Sequence, residues 1–124
     1  MNTERPVNLN LFKFRFPFTA IASIIHRVTG VVLFVAIGYG LYLLDSALQS
    51  VQGFAVARDL MHQPLGKLVT WVALSALIYH FFAGIKHLLL DFDIGDSLEG
   101  SKRASTVAVG LSVIGIVAAG VWLW

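Results

Sequence analysis

The sequence predicts an all-α integral membrane protein with three transmembrane helices, and three observations predict it. Of its 124 residues, 57% are hydrophobic and only 13% are charged, and its mean hydropathy is +0.79. That is too apolar for a water-soluble domain of this size with an ordinary polar surface. Three apolar stretches are each long enough to cross ~30 Å of hydrocarbon, which takes roughly 20 residues at 1.5 Å rise apiece. Strand-like alternation is absent from them, and helices satisfy every backbone group inside lipid.

Taken in order, the spans are expected at about 20–45, 65–90 and 104–124. The first closes at Asp45, the second is framed by Pro64 with Lys67 and by Asp91, and the third begins after Lys102 and Arg103 and runs to Trp124. The opening "MNTERPVNLN" carries Glu4 and no apolar core, so it is expected to be neither a signal peptide nor a transit peptide. Flanking basic residues set the direction: Arg5, Lys13, Arg15, Lys86, Lys102 and Arg103 fall on one side, against Arg58 and Lys67 on the other. The N-terminus is therefore expected to be cytoplasmic. Loop 46–64 then faces outward, loop 91–103 faces inward, and the chain ends outside with Trp122 and Trp124 at an interfacial belt. A bacterial inner membrane fits this layout best.

Composition also excludes functions. The formal net charge of +2 comes from basic residues scattered among apolar blocks, without the stripe that binds nucleic acid. There are no cysteines, which rules out disulfides, thiolate chemistry and a self-contained iron–sulfur cluster. The "GYG" at 38–40 follows no strand and is not a nucleotide loop. His62 lies in the outer loop and is given no role. Ala108, Ser112, Gly115 and Ala119 form a small-residue stripe on the third helix, which lets another backbone approach closely and is read as packing alone.

The polar residues inside the spans carry the chemistry. His80, Gly84, His87 and Asp91 recur at i, i+4, i+7 and i+11 and share one face of the second span, which Ala76 and Ala73 continue outward. Such a face should meet protein or a bound group rather than lipid, with Gly84 leaving room for something flat and bulky. A porphyrin is the plausible occupant, because neutral histidine is a good haem-iron ligand. Measured from Asp91, His80 lies 11 residues in, ~16 Å, and His87 only 4, ~6 Å; measured from Ala20, Arg27 lies 7 in, ~10 Å. A haem with its iron at His80 and its propionates toward the cytoplasm would bring two negative charges near Arg27, His26 and His87. Arg27 would then have a counter-ion for a charge that costs roughly 2.5–3.5 kcal/mol at a helix centre. Snorkelling to the headgroups could account for Arg27 alone, but not for His26 beside it or Ser23 one turn below it. For His80, the plainer alternative is a hydrogen bond to a neighbouring helix.

Two stretches, "RPVNLNLFKFRFPFTAIASIIHRVTG" at 5–30 with its Ser23, His26, Arg27 and Thr29 core, and "HFFAGIKHLLLDF" at 80–92, carry a family resemblance. In these the chain resembles the cytochrome b membrane-anchor subunits of succinate dehydrogenase, respiratory complex II. The motifs and the three-span layout together cover most of the chain, while the third helix is similar only in hydrophobicity. The resemblance implies a single membrane-anchor domain over 1–124 within a heteromeric helical bundle. It implies that His80 is one axial ligand of a b-type haem, with the other supplied by a second small membrane subunit. His26, Arg27 and His87 would stand around the same haem, and Ser23 and Arg27 would line a ubiquinone site where quinone meets an iron–sulfur subunit. Two positions depart from the family's usual form: Lys86 stands where an arginine commonly precedes the second histidine, and Leu90 where an aromatic residue or Met precedes the aspartate. Lys86 keeps the charge without the bidentate fork.

The reaction so implied is oxidation of succinate coupled to reduction of quinone. With no flavin fold and no cluster ligands here, FAD and iron–sulfur clusters would belong to partner subunits, and this chain alone would hold no complete active site. Three alternatives stand beside this reading. One is a purely structural anchor of the same kind of complex without haem, or the anchor of a fumarate reductase working in the opposite direction. Another is a membrane proton or solute carrier using the histidines as a relay, although three helices are few and no inverted repeat is visible. The last is a self-contained cytochrome ligated by His26 and His80, for which the unequal depths of the two histidines are awkward.

Overall fold

The computed structural model describes residues 18–124, which form four helices in the order α1 (Phe18–Gln49), α2 (Val51–His62), α3 (Pro64–Asp91) and α4 (Leu98–Leu123). Arg5, Lys13 and Arg15, on which much of the charge asymmetry rests, lie outside the described residues, as does the first part of the 5–30 motif. Three of the helices, α1, α3 and α4, are long and apolar enough to cross a membrane. The described residues contain no strand. The all-α membrane class expected from composition is thus what the chain adopts.

The segment expected as an outer loop, 46–64, is instead mostly helix. Ser50 adopts extended backbone, and its hydroxyl accepts from the Gly53 amide at 2.9 Å, capping α2. A Cβ at Gly53 would run into the Ser46 carbonyl, so glycine is what lets α2 fold back so tightly on α1. Phe54, Ala57 and Met61, at i, i+3 and i+7, line a groove with Gly40, Leu43, Leu44 and Ala47 of α1, and Ala57 is buried there. Twelve residues are too few to span a bilayer, so a search for spans passes over this helix. Gln63 is extended, as the residue before proline prefers, and Pro64 opens α3 at a position where its missing N–H costs nothing.

α3 lies between α1 and α4 and packs on both. Toward α4, the Trp71 indole N–H donates to the Ile116 carbonyl at 2.9 Å. Ile78 fits over Gly115, where a Cβ would come within 2.9 Å of its Cγ2. Ala108 and Ser112 are buried on the same side, so the small-residue stripe of α4 does what it was read to do: it lets α3 approach. Farther along the contact, toward the end of α3 and the start of α4, the Lys86 ammonium donates to Ser105 Oγ at 3.2 Å, both residues buried. Toward α1, the Tyr79 hydroxyl donates to the Ala22 carbonyl at 2.6 Å.

α4 begins at Leu98, six residues before the expected 104, and so takes in Lys102 and Arg103. Its start is set by chemistry rather than hydropathy: the Ser97 hydroxyl accepts from the Gly100 amide at 3.0 Å, and Glu99 sits in the first turn. The reversal before it uses two left-handed positions, Asp93 (φ 59°) and Gly95 (φ 69°). At the other end of α4, the Trp124 ring meets Trp71 edge-on with centroids 6.1 Å apart.

Large apolar side chains cover the outer surface, with Phe34 81% exposed and Val31 and Val35 each 67% exposed, while the interior is built from Ala22, Ala76, Ala83 and Ala108. A soluble protein would invert this arrangement. Here the outward face suits lipid or other apolar helices, and the small inner residues let backbones pack closely.

Candidate functional site

The α1–α3 contact gathers three imidazoles. His26 comes from α1, and His80 and His87 come from α3, two turns apart on one face. The His26 and His80 rings are stacked, with centroids 4.1 Å apart and planes 12° from parallel. His87 is tilted by 52° against His26 at 5.0 Å. All three residues are half-buried.

Hydrogen bonds define the state of His80. Its Nδ1 lies 3.1 Å from the His26 carbonyl oxygen and 3.1 Å from Thr29 Oγ1. A carbonyl only accepts, so Nδ1 carries the proton and donates it. The Thr29 hydroxyl spends its own proton on the same His26 carbonyl at 2.8 Å, leaving a lone pair for Nδ1–H. In a neutral imidazole the other nitrogen, Nε2, is then a bare lone pair.

The cradle is close-fitting. A Cβ at Gly30 would stand 3.3 Å from His80 Cε1, tighter than an ordinary van der Waals contact. At Gly84 a Cβ would stand 3.6 Å from His26 Nε2. The room beside Gly84, expected for a flat cofactor, therefore holds the His26 imidazole instead, because α1 packs close enough to fill it. His26 Nε2 is buried there and makes no hydrogen bond. A buried imidazole nitrogen without a partner costs free energy on the order of 1–3 kcal/mol, so it marks a place where another group is needed.

Of the remaining sequence-derived candidates, Ser23 is half-buried one turn below Arg27, and Arg27 is exposed. Asp91 is exposed at the end of α3. Lys86, adjacent to His87 in sequence, reaches α4 rather than the imidazoles, since its hydrogen bond goes to Ser105. His62 donates its Nδ1–H within α2, to the Arg58 carbonyl at 2.8 Å, because a carbonyl partner can only accept. Among the described residues, no group of three or more His, Cys, Asp or Glu could hold a metal ion. A haem needs no such group, since one imidazole from a chain is enough.

The unequal depths that made a His26–His80 pairing awkward are not found, because the rings stack. The depths were counted from Ala20 and Asp91 as if the two lay in one plane, and the pairing of α1 with α3 is offset from that. The pairing fails for a different reason. Two axial imidazoles meet a porphyrin iron edge-on from opposite faces, and rings lying face to face at 4.1 Å leave no space for a macrocycle between them.

Two polar partners escaped the sequence reading. Thr29 belongs to the first motif but had no task, although its place three residues after His26 puts it on the same helix face. Tyr79 precedes His80, and a phenol in an apolar run needs a partner for its hydroxyl.

Comparison with known proteins adds to this geometry. A family model described as the succinate dehydrogenase/fumarate reductase transmembrane subunit matches residues 1–119. A succinate dehydrogenase cytochrome b556 subunit from Coxiella burnetii is 48% identical over 126 aligned positions, covering 100% of both chains. The protein of that name from Paracoccus denitrificans is 33% identical over 111 positions, covering 90% of this chain and 85% of the relative. A succinate dehydrogenase cytochrome b560 subunit from Reclinomonas americana is 29% identical over 120 positions, with 92% and 83% covered.

Proposed function

Since the chain belongs to the succinate dehydrogenase/fumarate reductase transmembrane subunit family, we propose that it is the membrane-anchor, haem b-binding subunit of a succinate:quinone oxidoreductase, serving the quinone end of the reaction. The observation that carries the reading is the half-buried His26–His80–His87 cluster between two membrane-spanning helices, with a buried His26 Nε2 lacking a partner and His80 Nε2 left as a lone pair. An apolar protein interior supports such nitrogens when a bound group uses them.

The residues present fit a b-type haem. His80 would hold it through Nε2, with a further ligand supplied by another small membrane subunit, because His26 is stacked on His80 and could not serve as well. His26 Nε2 and His87 stand beside it as donors to the carboxylate edge, and Arg27 supplies positive charge there. A haem held in this way supplies a one-electron redox centre within the bilayer.

Quinone reduction takes two electrons and two protons and builds negative charge on the carbonyl oxygens. The Ser23 hydroxyl donates a hydrogen bond to one of them. The Arg27 guanidinium, a fork of N–H donors carrying positive charge, stabilises that charge electrostatically. Electrons reach this site from succinate through a flavoprotein subunit with FAD and an iron–sulfur subunit, since this chain has no cysteine to bind a cluster. The three apolar helices make a multi-pass membrane protein. We place it in a bacterial inner membrane with its N-terminus cytoplasmic, as one membrane-anchor domain in a heteromeric bundle.

The test is a reduced-minus-oxidised absorbance spectrum of the complex solubilised with its partners, with succinate as reductant. A b-type band that appears on adding succinate is expected. A complex without haem would remove the cytochrome reading and leave a structural anchor.

A further inference from the structure

We propose that Thr29 is a positioning residue for His80: its hydroxyl, together with the His26 carbonyl, fixes the imidazole tautomer and ring plane that leave Nε2 free for iron. The proposal rests on the reading of His80 as an axial ligand.

The Thr29 hydroxyl touches both partners. It donates to the His26 carbonyl at 2.8 Å and stands 3.1 Å from His80 Nδ1, which is also 3.1 Å from that carbonyl. These three contacts close a triangle in which one tautomer satisfies every member. With the proton on Nδ1, it is shared between two acceptors. With the proton on Nε2, a nitrogen lone pair would face the carbonyl oxygen at 3.1 Å, and the ligating position would be blocked.

Orientation is fixed by the same residues. One face of the His80 ring lies against His26, and Gly30 bounds Cε1 so closely that a Cβ there would stand at 3.3 Å. Thr29 supplies the remaining constraint, holding Nδ1 in place by a directed bond. The first motif thus contributes to the ligand on the other helix: His26 gives a ring face and a carbonyl, Thr29 a hydroxyl and Gly30 a gap. An acceptor on the far nitrogen of a ligating histidine also raises its basicity, which favours the ferric state.

The experiment compares Thr29→Val, which keeps the branched shape, Thr29→Ala, which removes it, and Thr29→Ser, which keeps the hydroxyl, all in the complex assembled with its partner subunits. Haem retention is measured by transfer to apomyoglobin, and the haem midpoint potential by redox titration. Thr29→Val should weaken retention about tenfold, as loss of a ligand's outer partner typically does. Its potential should rise by roughly a threefold change in the oxidised-to-reduced equilibrium, about 30 mV for one electron. Thr29→Ala should shift both quantities in the same directions, which tests the hydroxyl even where valine disturbs assembly. Thr29→Ser should match the parent.

Retention and potential unchanged in both Thr29→Val and Thr29→Ala would overturn the proposal. So would equal losses in Thr29→Ser and Thr29→Val, which would locate the effect in shape rather than in the hydroxyl. Failure of the axial reading is recognised separately, by an unaltered haem spectrum in His80→Leu, and would take this proposal with it.

Discussion

The imidazoles of His26 and His80 lie face to face, 4.1 Å apart and 12° from parallel, one on each of two neighbouring membrane-spanning helices. Stacking of this kind makes the two histidines unequal. His80 has its Nδ1 proton committed and its Nε2 left as a lone pair, whereas His26 gives its carbonyl to His80 and has a buried Nε2 without a partner. The first arrangement suits a metal ligand, and the second suits a donor to an acid group at a cofactor's edge.

The asymmetry makes the first prediction. On the axial role proposed for His80, His80→Leu should strip or distort the reduced-haem band of the purified complex. His26→Leu removes only the neighbour, so a low-spin spectrum should persist with weaker retention. Reduced-minus-oxidised spectra of both variants check this, and a normal bis-imidazole spectrum in His80→Leu would refute the axial assignment.

Two glycines of the cradle should respond differently to a methyl group. At Gly30 the new Cβ meets His80 Cε1 at 3.3 Å, so the ring must give way by a few tenths of an ångström and the Nδ1 bonds are disturbed. At Gly84 the new Cβ meets His26 Nε2 at 3.6 Å, an ordinary contact. Gly30→Ala should therefore lower the haem content of the purified complex, and Gly84→Ala should leave it near the parent value. The haem-to-protein ratio, measured as pyridine haemochrome, is the readout.

For the quinone end, Ser23→Ala and Arg27→Ala should each cut quinone reductase activity while leaving succinate oxidation with a soluble artificial acceptor intact. One hydrogen-bond donor at a developing oxyanion is worth on the order of a hundredfold to a thousandfold in turnover, and Arg27 should cost at least as much as Ser23 because it brings a full positive charge. Equal losses in both assays would instead mean failed assembly.

Much of this molecule was legible from its residues alone, and what was missed has a physical explanation. The three membrane spans follow from hydropathy, because lipid demands long apolar helices. The face shared by His80, Gly84 and His87 follows from helical spacing, whereas counting depths from the helix ends kept His26 apart from His80 and did not foresee their stacking. Helix α2 was hidden because twelve residues cannot cross a bilayer, and its existence depends on a Ser50 cap and on the missing Cβ of Gly53, both local details. The early start of α4 was hidden for a similar reason, since the Ser97 cap extends the helix through charged residues that hydropathy assigns to a loop. The filling of the space at Gly84 by His26, and the bonds made by Thr29 and Tyr79, depend on how α1 slides along α3. No periodicity within one helix records that offset.

The offset itself can be tested through Tyr79. Its hydroxyl donates to the Ala22 carbonyl at 2.6 Å from a buried position and ties α1 to α3 one residue from His80. Tyr79→Phe keeps the ring and its packing, so only the bond is lost. The Ala22 carbonyl lies within α1 and retains the helix's own bonding, so no backbone group is orphaned. Hydrogen bonds between helices in lipid average about 0.6 kcal/mol and reach about 1.7. The short distance and burial place this one toward the upper value, so Tyr79→Phe should lower stability by about 1–1.7 kcal/mol in a denaturant titration of the detergent-solubilised complex, read from tryptophan fluorescence. The haem spectrum should remain that of the parent, because Thr29 and the His26 carbonyl still hold His80. An unchanged unfolding midpoint would show that the bond adds nothing to the α1–α3 contact. A shifted haem spectrum would show that the register of the two helices, and not the local bonds, fixes the imidazole.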